Sequence, residues 1–485
     1  MSVPKTNAAL TAAYHAANIL TLYAVIKIVG PAPYMDELIH IPQAQAYCRG
    51  DFGFWDPALT TPPGLYLISA IPAYVVSPLR PYLCSTVGLR AVNFVFLTYL
   101  PYVISGLLET LQEKTLTSDN IKGDKISAET TKTGGPSLSL EAIFVATFPI
   151  AWFFGYLYYT ETGSLVLVLL AYSFALEGKW LRSSLVGAAS LTFRQTNILW
   201  IAFIAASSSI RLLSRQQTKR PLKNPLLTNA RLADIPTCAF SLADLGLRSI
   251  PLLLPVVLSY LPVFFGAAAF VKWNGGVVLG DKANHVPTLH LVQPLYFFAF
   301  AAGFLAPYTL TQRNVSRSLS NLVGTPIRVV TSALAMGMAL YCIKYHTILH
   351  RFLLADNRHY TFYVLRRIVN RFPAARYLLA PAYIFAGRLL FDVLIEANSF
   401  RLLDAVGLAL TSLLVLIPSP LIEPRYFLIP YVLIRLHIRP RTRKAVWLEG
   451  LLYGLVNAVT MWIFVQRPWT RVTNEGVVDV ARFMW

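Results

Sequence analysis

The sequence predicts an all-α polytopic membrane protein, a helix bundle set in lipid. Three observations carry this reading. Of 485 residues, 55% are hydrophobic and only 13% are charged, about half the charged share of a soluble protein. Apolar runs near the length of a bilayer crossing recur from one end of the chain to the other. The basic residues behind the net charge of +19 fall in short loops between those runs, which is the positive-inside pattern. That placement excludes nucleic acid as the reason for the charge.

The apolar runs give about 13 membrane segments: 10–30, 88–108, 139–158, 163–179, 183–193 with 196–210, 250–270, 291–311, 326–345, 376–396, 402–418, 424–438 and 446–465. The first is long and lacks a small-residue cleavage site, so it reads as an uncleaved signal anchor. Basic loops at 211–248, 313–328 and 435–444 belong in the cytosol. Residues 63–80 are apolar but carry Pro72 and Pro78, which interrupt a helix. An interfacial helix there, with 183–210 broken into two short crossings at Phe193–Asn197, places all three basic loops on one side. Loop 31–62 then faces the other side. Residues 109–138 are polar and rich in Ser, Thr and Lys, the composition of a disordered cytosolic insert. The whole chain, 1–485, reads as a single integral membrane domain.

The segments with chemical potential gather on the non-cytosolic side. Loop 31–62 holds Asp36, Glu37, Asp51 and Asp56 in an acid-poor chain, and acids at a membrane boundary are costly unless they serve a site. Asp36 and Glu37 are adjacent, so only one points into a given cleft; two acids at a helix end also suit plain capping. His40 fits a ligand contact or a loop-stabilising imidazole. Asp56, held before Pro57, fits a turn. Trp55 precedes it. Arg194 lies in an apolar stretch and needs either an anion or a buried acid such as Glu161. Arg358, His359 and Tyr360 stand together in LLADNRHYTFY, and Arg425 stands in EPRY. NGGVVLGDKANH does not open a helix after a strand, so it is no nucleotide loop; Gly275 and Gly276 suit a tight turn, with Asp281 and His285 beyond it. Cys48, Cys84, Cys238 and Cys342 have neither metal nor redox spacing and imply no disulfide framework. No His, Asp or Glu set has metal-site spacing.

In order along the chain, MDELIHIPQAQAYC, WDP with LTTPPGLYL, YYTETGS, FRQTNILW, NGGVVLGD, LLADNRHYTFYV, YLLAPAYIFAG, RYFLIPY and RFMW resemble the dolichyl-phosphate-glucose-dependent alpha-1,2-glucosyltransferases of the endoplasmic reticulum. The likeness runs from residue 34 to 485. Pro424 departs from it, standing where an aromatic would be expected. The resemblance extends to type C glycosyltransferases, multi-span enzymes that use a polyprenyl-phosphate sugar and an acid of the first luminal loop as base. It implies an endoplasmic reticulum membrane protein with its site on the luminal side. The first luminal loop would be 31–87, including the interfacial helix.

The implied reaction moves glucose from dolichyl-phosphate-glucose to a diglucosylated lipid-linked oligosaccharide and makes the terminal alpha-1,2 linkage. A beta-linked donor giving an alpha product means inversion, which needs one base and no protein nucleophile; phosphate leaves without an acid. The resemblance favours Asp36 as that base, with Glu37 holding the loop or orienting His40. Arginine suits the leaving phosphate because its fork matches the oxygens. That makes Arg358 with His359, Arg194 and Arg425 the candidates for the donor phosphate, and His40, Trp55, Asp281, His285 and Tyr360 for the sugars. No cofactor and no divalent metal are expected. The expected partners are the two lipid-linked substrates and the membrane lipids, with the chain acting as a monomer. The rival enzyme reading is another dolichyl-phosphate-sugar transferase of the same pathway. A transporter or flippase would call for paired broken helices and pseudo-repeats, which this sequence lacks.

Overall fold

The structure is a computed structural model and describes residues 8–119, 138–216, 218–472 and 478–485. Helix dominates these residues, with almost no strand, as expected. The one sheet among them is a hairpin in which Trp469–Val472 pairs antiparallel with Val478–Ala481. Among the described residues, seven helices are long and apolar enough to cross a membrane: Ala8–Ile28, Thr86–Gln112, Asn197–Arg215, Ile250–Asn274, Pro326–Tyr345, Ala375–Ala397 and Arg443–Gln466.

The expected count of about 13 is not confirmed, because several of those segments are broken or short. Segment 139–158 divides into Leu140–Ala146 and Pro149–Phe154, because the residue before a proline is pushed out of the helical region. Segment 291–311 divides into Gln293–Phe304 and Ala306–Thr309, and 424–438 into a short 3-10 turn and Leu428–His437. That last helix has 10 residues, a rise of ~15 Å, half a hydrocarbon core. Every residue of it is buried. Broken backbone is tolerated at membrane depth where protein surrounds it, and hydropathy alone does not separate such a segment from one that faces lipid.

Other expectations meet the structure directly. The break at 193–197 separates Trp180–Leu191 from Asn197–Arg215. Asn197 closes it by donating to Ser164 Oγ and to the Ser190 carbonyl, both at 2.8 Å. Within 63–80 the apolar helix is Gly64–Val75, 12 residues and ~18 Å long, too short to cross. Helix Thr86–Asp119 continues into the polar stretch 109–138; residues 120–137 of that expected insert lie outside the described residues. The basic loop 211–248 contains a helix of its own, Asp234–Arg248.

The cysteine reading needs correction. Cys48 and Cys84 form a disulfide. It ties the end of helix Glu37–Cys48 to the turn ahead of Thr86–Asp119. A separation of 36 residues belongs to no metal or redox motif, so spacing gave no sign of it.

The chain forms two compact units. The first comprises 1–147, 154–282 and 399–408, and the second 148–153, 283–398 and 409–485. In the first, Thr86–Asp119, Glu161–Leu176, Trp180–Leu191 and Asn197–Arg215 pack in turn, and Glu37–Cys48 packs on Gly64–Val75. In the second, Ala380–Ala397 is central and packs against Gln293–Phe304, Gln312–Val323 and Pro326–Tyr345.

Candidate active-site residues

The first unit is built around the acid pair. Met35 has φ of 57°, a left-handed conformation that is rare for a residue with a long side chain. The turn it makes starts helix Glu37–Cys48 with Asp36 at its N-cap. The two acids then meet different surroundings. Glu37 is fully buried. Arg90 donates to it from Nε at 2.9 Å and from Nη2 at 2.6 Å, and the Tyr34 and Tyr158 amides donate to it at 3.0 and 2.7 Å. Arg90 is equally buried and also donates to the Gly30 and Ala32 carbonyls. One ion pair thus joins the end of the first helix, the corner at 34–37 and the YYTET segment. Asp36 is half-buried, its amide donates to the Tyr159 hydroxyl at 3.1 Å, and its side chain makes no capping bond to its own helix.

The neighbouring motifs close on this corner. Asn93 donates to the Leu157 and Tyr159 carbonyls. His40 Nδ1 lies 2.6 Å from the Tyr66 hydroxyl, and Trp55 meets Tyr66 edge-on. Gln43 holds both sides of the Phe54–Asp56 turn, donating to Phe54 O and accepting from Asp56 N. Asp56 accepts from the Ala58 amide at 2.9 Å, the turn that its place before Pro57 suggested.

Two distant motifs dock on this loop. Gly275 ends helix Ile250–Asn274 with φ of 67°, the left-handed cap that favours glycine. The chain then runs along residues 57–60. The Asp281 amide donates to Pro57 O at 3.0 Å, and a Cβ on Gly280 would lie 2.2 Å from that same carbonyl. In FRQTN, Gln195 donates to Thr60 O at 2.6 Å, and just ahead of the motif Thr192 O accepts from the Gly64 amide at 2.8 Å. Arg194 pairs with Glu161 at 2.9 Å, with the carboxylate buried.

The second unit carries the other cations. Arg358 forks onto Asp356 through Nε at 2.8 Å and Nη2 at 2.7 Å. Burial pushes the Asp356 carboxyl up, but the hydrogen bonds and charge of Arg358 outweigh it and hold the group below its usual range. The terminal RFMW lies alongside. The Met484 amide donates to Arg358 O at 2.9 Å, the Tyr360 amide donates to Met484 O at 3.0 Å, and His359 Nδ1 sits 2.8 Å from Trp485 O. Arg482 anchors this tail on the Phe464 and Val465 carbonyls. Arg425 pairs with Glu423 at 2.8 Å. His285 is half-buried and belongs to this unit, whereas Asp281 belongs to the first. Among the described residues, no three His, Cys, Asp or Glu side chains gather in the way a metal site requires.

Sequence reasoning missed Arg90, His290 and the role of the tail. Arg90 left a signal, a lone cation inside an apolar run. His290 left none. It is fully buried, its Nδ1 lies 3.2 Å from Ser419 O, and its Nε2 accepts from the Ile348 amide. It thereby joins three loops.

The chain is also similar to known proteins over most of its length. The DIE2/ALG10 family profile matches residues 30–436. The chain belongs to the DIE2/ALG10 family. A mouse relative, the Dol-P-Glc:Glc(2)Man(9)GlcNAc(2)-PP-Dol alpha-1,2-glucosyltransferase, is 37% identical over 471 residues, covering 93% of each chain. A human protein of the same name is 34% identical with the same coverage. One from Arabidopsis thaliana is 29% identical over 526 residues, covering 96% of this chain and 97% of its own. No solved structure matches this DIE2/ALG10 chain.

Proposed function

We infer that this chain transfers glucose from dolichyl-phosphate-glucose to Glc2Man9GlcNAc2-PP-dolichol and forms the terminal alpha-1,2-glucose. The observation that carries this is likeness over nearly the full length to relatives named for that one reaction. The chain is an enzyme of the multi-pass membrane type, with a lipid-linked donor and a lipid-linked acceptor.

The finer reading places it in the endoplasmic reticulum as a monomer with a luminal site. The Cys48–Cys84 disulfide supports that side, since such bonds persist in oxidising compartments. Asp36 takes the proton of the acceptor's 2-hydroxyl as that oxygen bonds to glucose C1. The bond from C1 to the phosphate oxygen breaks, and dolichyl phosphate leaves with the electron pair. Asp36 suits the role because Glu37 beside it has both oxygens occupied by four N–H donors. Arg358 and His359 stabilise the charge gathering on the phosphate, with Arg194 and Arg425 as further donor contacts. Fixed cations aimed at developing charge stabilise a transition state without reorganising. In the ground state Asp356 and Glu423 keep the Arg358 and Arg425 forks in place. His40, Trp55, Asp281, His285 and Tyr360 meet the sugars. No divalent ion is assigned, because arginine forks supply the charge that the leaving group requires.

The test uses purified protein in proteoliposomes with both lipid substrates. Labelled glucose should move from dolichyl-phosphate-glucose onto the diglucosylated acceptor, with EDTA causing no loss. Transfer of mannose from dolichyl-phosphate-mannose in place of glucose would assign a different member of the pathway.

A further inference from the structure

A second site lies at the other end of the second unit. A cavity of about 480 Å³ is lined by the turn after Gln293–Phe304, the last turn of Ala380–Ala397 and the start of Arg443–Gln466. Helix Ala380–Ala397 has 18 residues, ~27 Å of rise. The cavity sits at its C-terminal end, and the 351–379 segment joins its N-terminal end. Arg443–Gln466 covers the same interval in the opposite direction. Its first turn lines the cavity, and its last carbonyls hold Arg482 of the tail that pairs with Arg358. The cavity is therefore separated from the Arg358 motif by about the thickness of a hydrocarbon core, on the face of the basic loops 313–328 and 435–444.

Its chemistry is two-sided. Arg313, Arg439, Arg441 and Lys444 line it against one carboxylate, Glu396. Glu396 is mostly buried and holds Arg441 at 2.5 Å and Arg313 at 3.5 Å. The remaining wall is apolar. Val393 and Ile438 stand inside, while Leu310 and Leu448 are also exposed on the flank of the bundle. An anion with an attached apolar body fits such walls. A free anion would leave the apolar side unused, and a neutral lipid would leave the cations unused.

We propose that this cavity binds the headgroup of an anionic phospholipid of the cytosolic leaflet. The phosphodiester takes the arginine forks, displacing Glu396 from Arg441, and the glycerol end lies along Leu310 and Leu448. Basic pockets between membrane helices on the cytoplasmic side suit such headgroups, and the volume lies in the ~300–1,000 Å³ range of small-ligand sites. This site is separate from the glucose-transfer reading.

The test is native mass spectrometry of the full chain with equal phosphatidylinositol, phosphatidylserine and phosphatidylcholine. The wild type should retain an anionic lipid at least about tenfold over phosphatidylcholine, given the attraction each cation adds. The combined Arg313→Gln, Arg441→Gln and Lys444→Gln variant should lose that preference, with unchanged glucose transfer in phosphatidylcholine. Glu396→Gln removes the competing carboxylate and should keep or raise the preference, so this arm decides the matter even where the triple variant fails to fold. Equal retention of all three lipids by the wild type would overturn the proposal, as would undiminished preference in the triple variant or weakened preference in Glu396→Gln. Displacement of the lipid by millimolar inorganic phosphate would assign the cavity to a free anion instead.

Discussion

Asp36 and Glu37 are neighbours in sequence and opposites in surroundings. Glu37 and Arg90 are both fully buried and fully engaged. Such a pair is costly to break from one side, because the remaining charge has no counter-ion. Arg90→Ala should therefore destabilise the protein by about 3–5 kcal/mol, read as a fall in the detergent melting temperature. Arg358 calls for a different readout. Arg358→Ala should lose turnover through donor use, and Arg358→Lys should recover only part of it, because a point charge does not reproduce the fork. Steady-state kinetics over a range of donor concentrations checks both; wild-type turnover in Arg358→Ala would remove the residue from the site. His290 adds a pH dependence. Burial lowers its pKa to about 4, against a smaller opposing effect of the Ser419 carbonyl. The unfolded chain binds this proton near pH 6.5. The stability contribution is thus whole above about pH 6.5 and is lost as pH falls toward 4. Melting temperatures across that window should drop in the wild type and flatten in His290→Gln.

At the scale of elements, the sequence motifs turn out to be docking pieces. NGGVVLGD reaches residues 57–60, FRQTN reaches Thr60, Thr192 just ahead of it reaches Gly64, and RFMW reaches Arg358–Tyr360. Their order and composition were legible in the sequence, and so were the break at 193–197 and the turn at Asp56. Their pairings were not, since a backbone amide donating to a distant carbonyl leaves no mark on residue type. Met484→Pro removes the amide that donates to Arg358 O. It should lower turnover at least about tenfold, and because Met484 is buried it should lower the melting temperature too, both measured on purified protein. The disulfide was illegible for the same reason. Replacing Cys48 and Cys84 together by Ser should reduce stability by about 2–4 kcal/mol. Peptide mapping without reductant should recover the two cysteines in one linked fragment.

For the molecule as a whole, composition and loop charge sufficed for the polytopic all-α class. They did not suffice for the number of crossings. Fully buried helices such as Leu428–His437 pass for crossings alongside Ile250–Asn274, which exposes most of its surface. The topology predicts that a cysteine at position 45 and one at position 216 label from opposite sides of sealed microsomes; labelling from the same side would overturn it. Inverting transfer with Asp36 as base comes down to a single assay. Wild type, Asp36→Asn and Glu37→Gln are purified, checked for folding and given dolichyl-phosphate-glucose with the diglucosylated acceptor. The wild type should give an alpha-1,2-linked product one glucose heavier. Turnover should be lower by about 10² to 10⁴ in Asp36→Asn with acceptor binding kept, and the defect in Glu37→Gln should track its loss of stability. Full activity in folded Asp36→Asn would contradict Asp36 as the base.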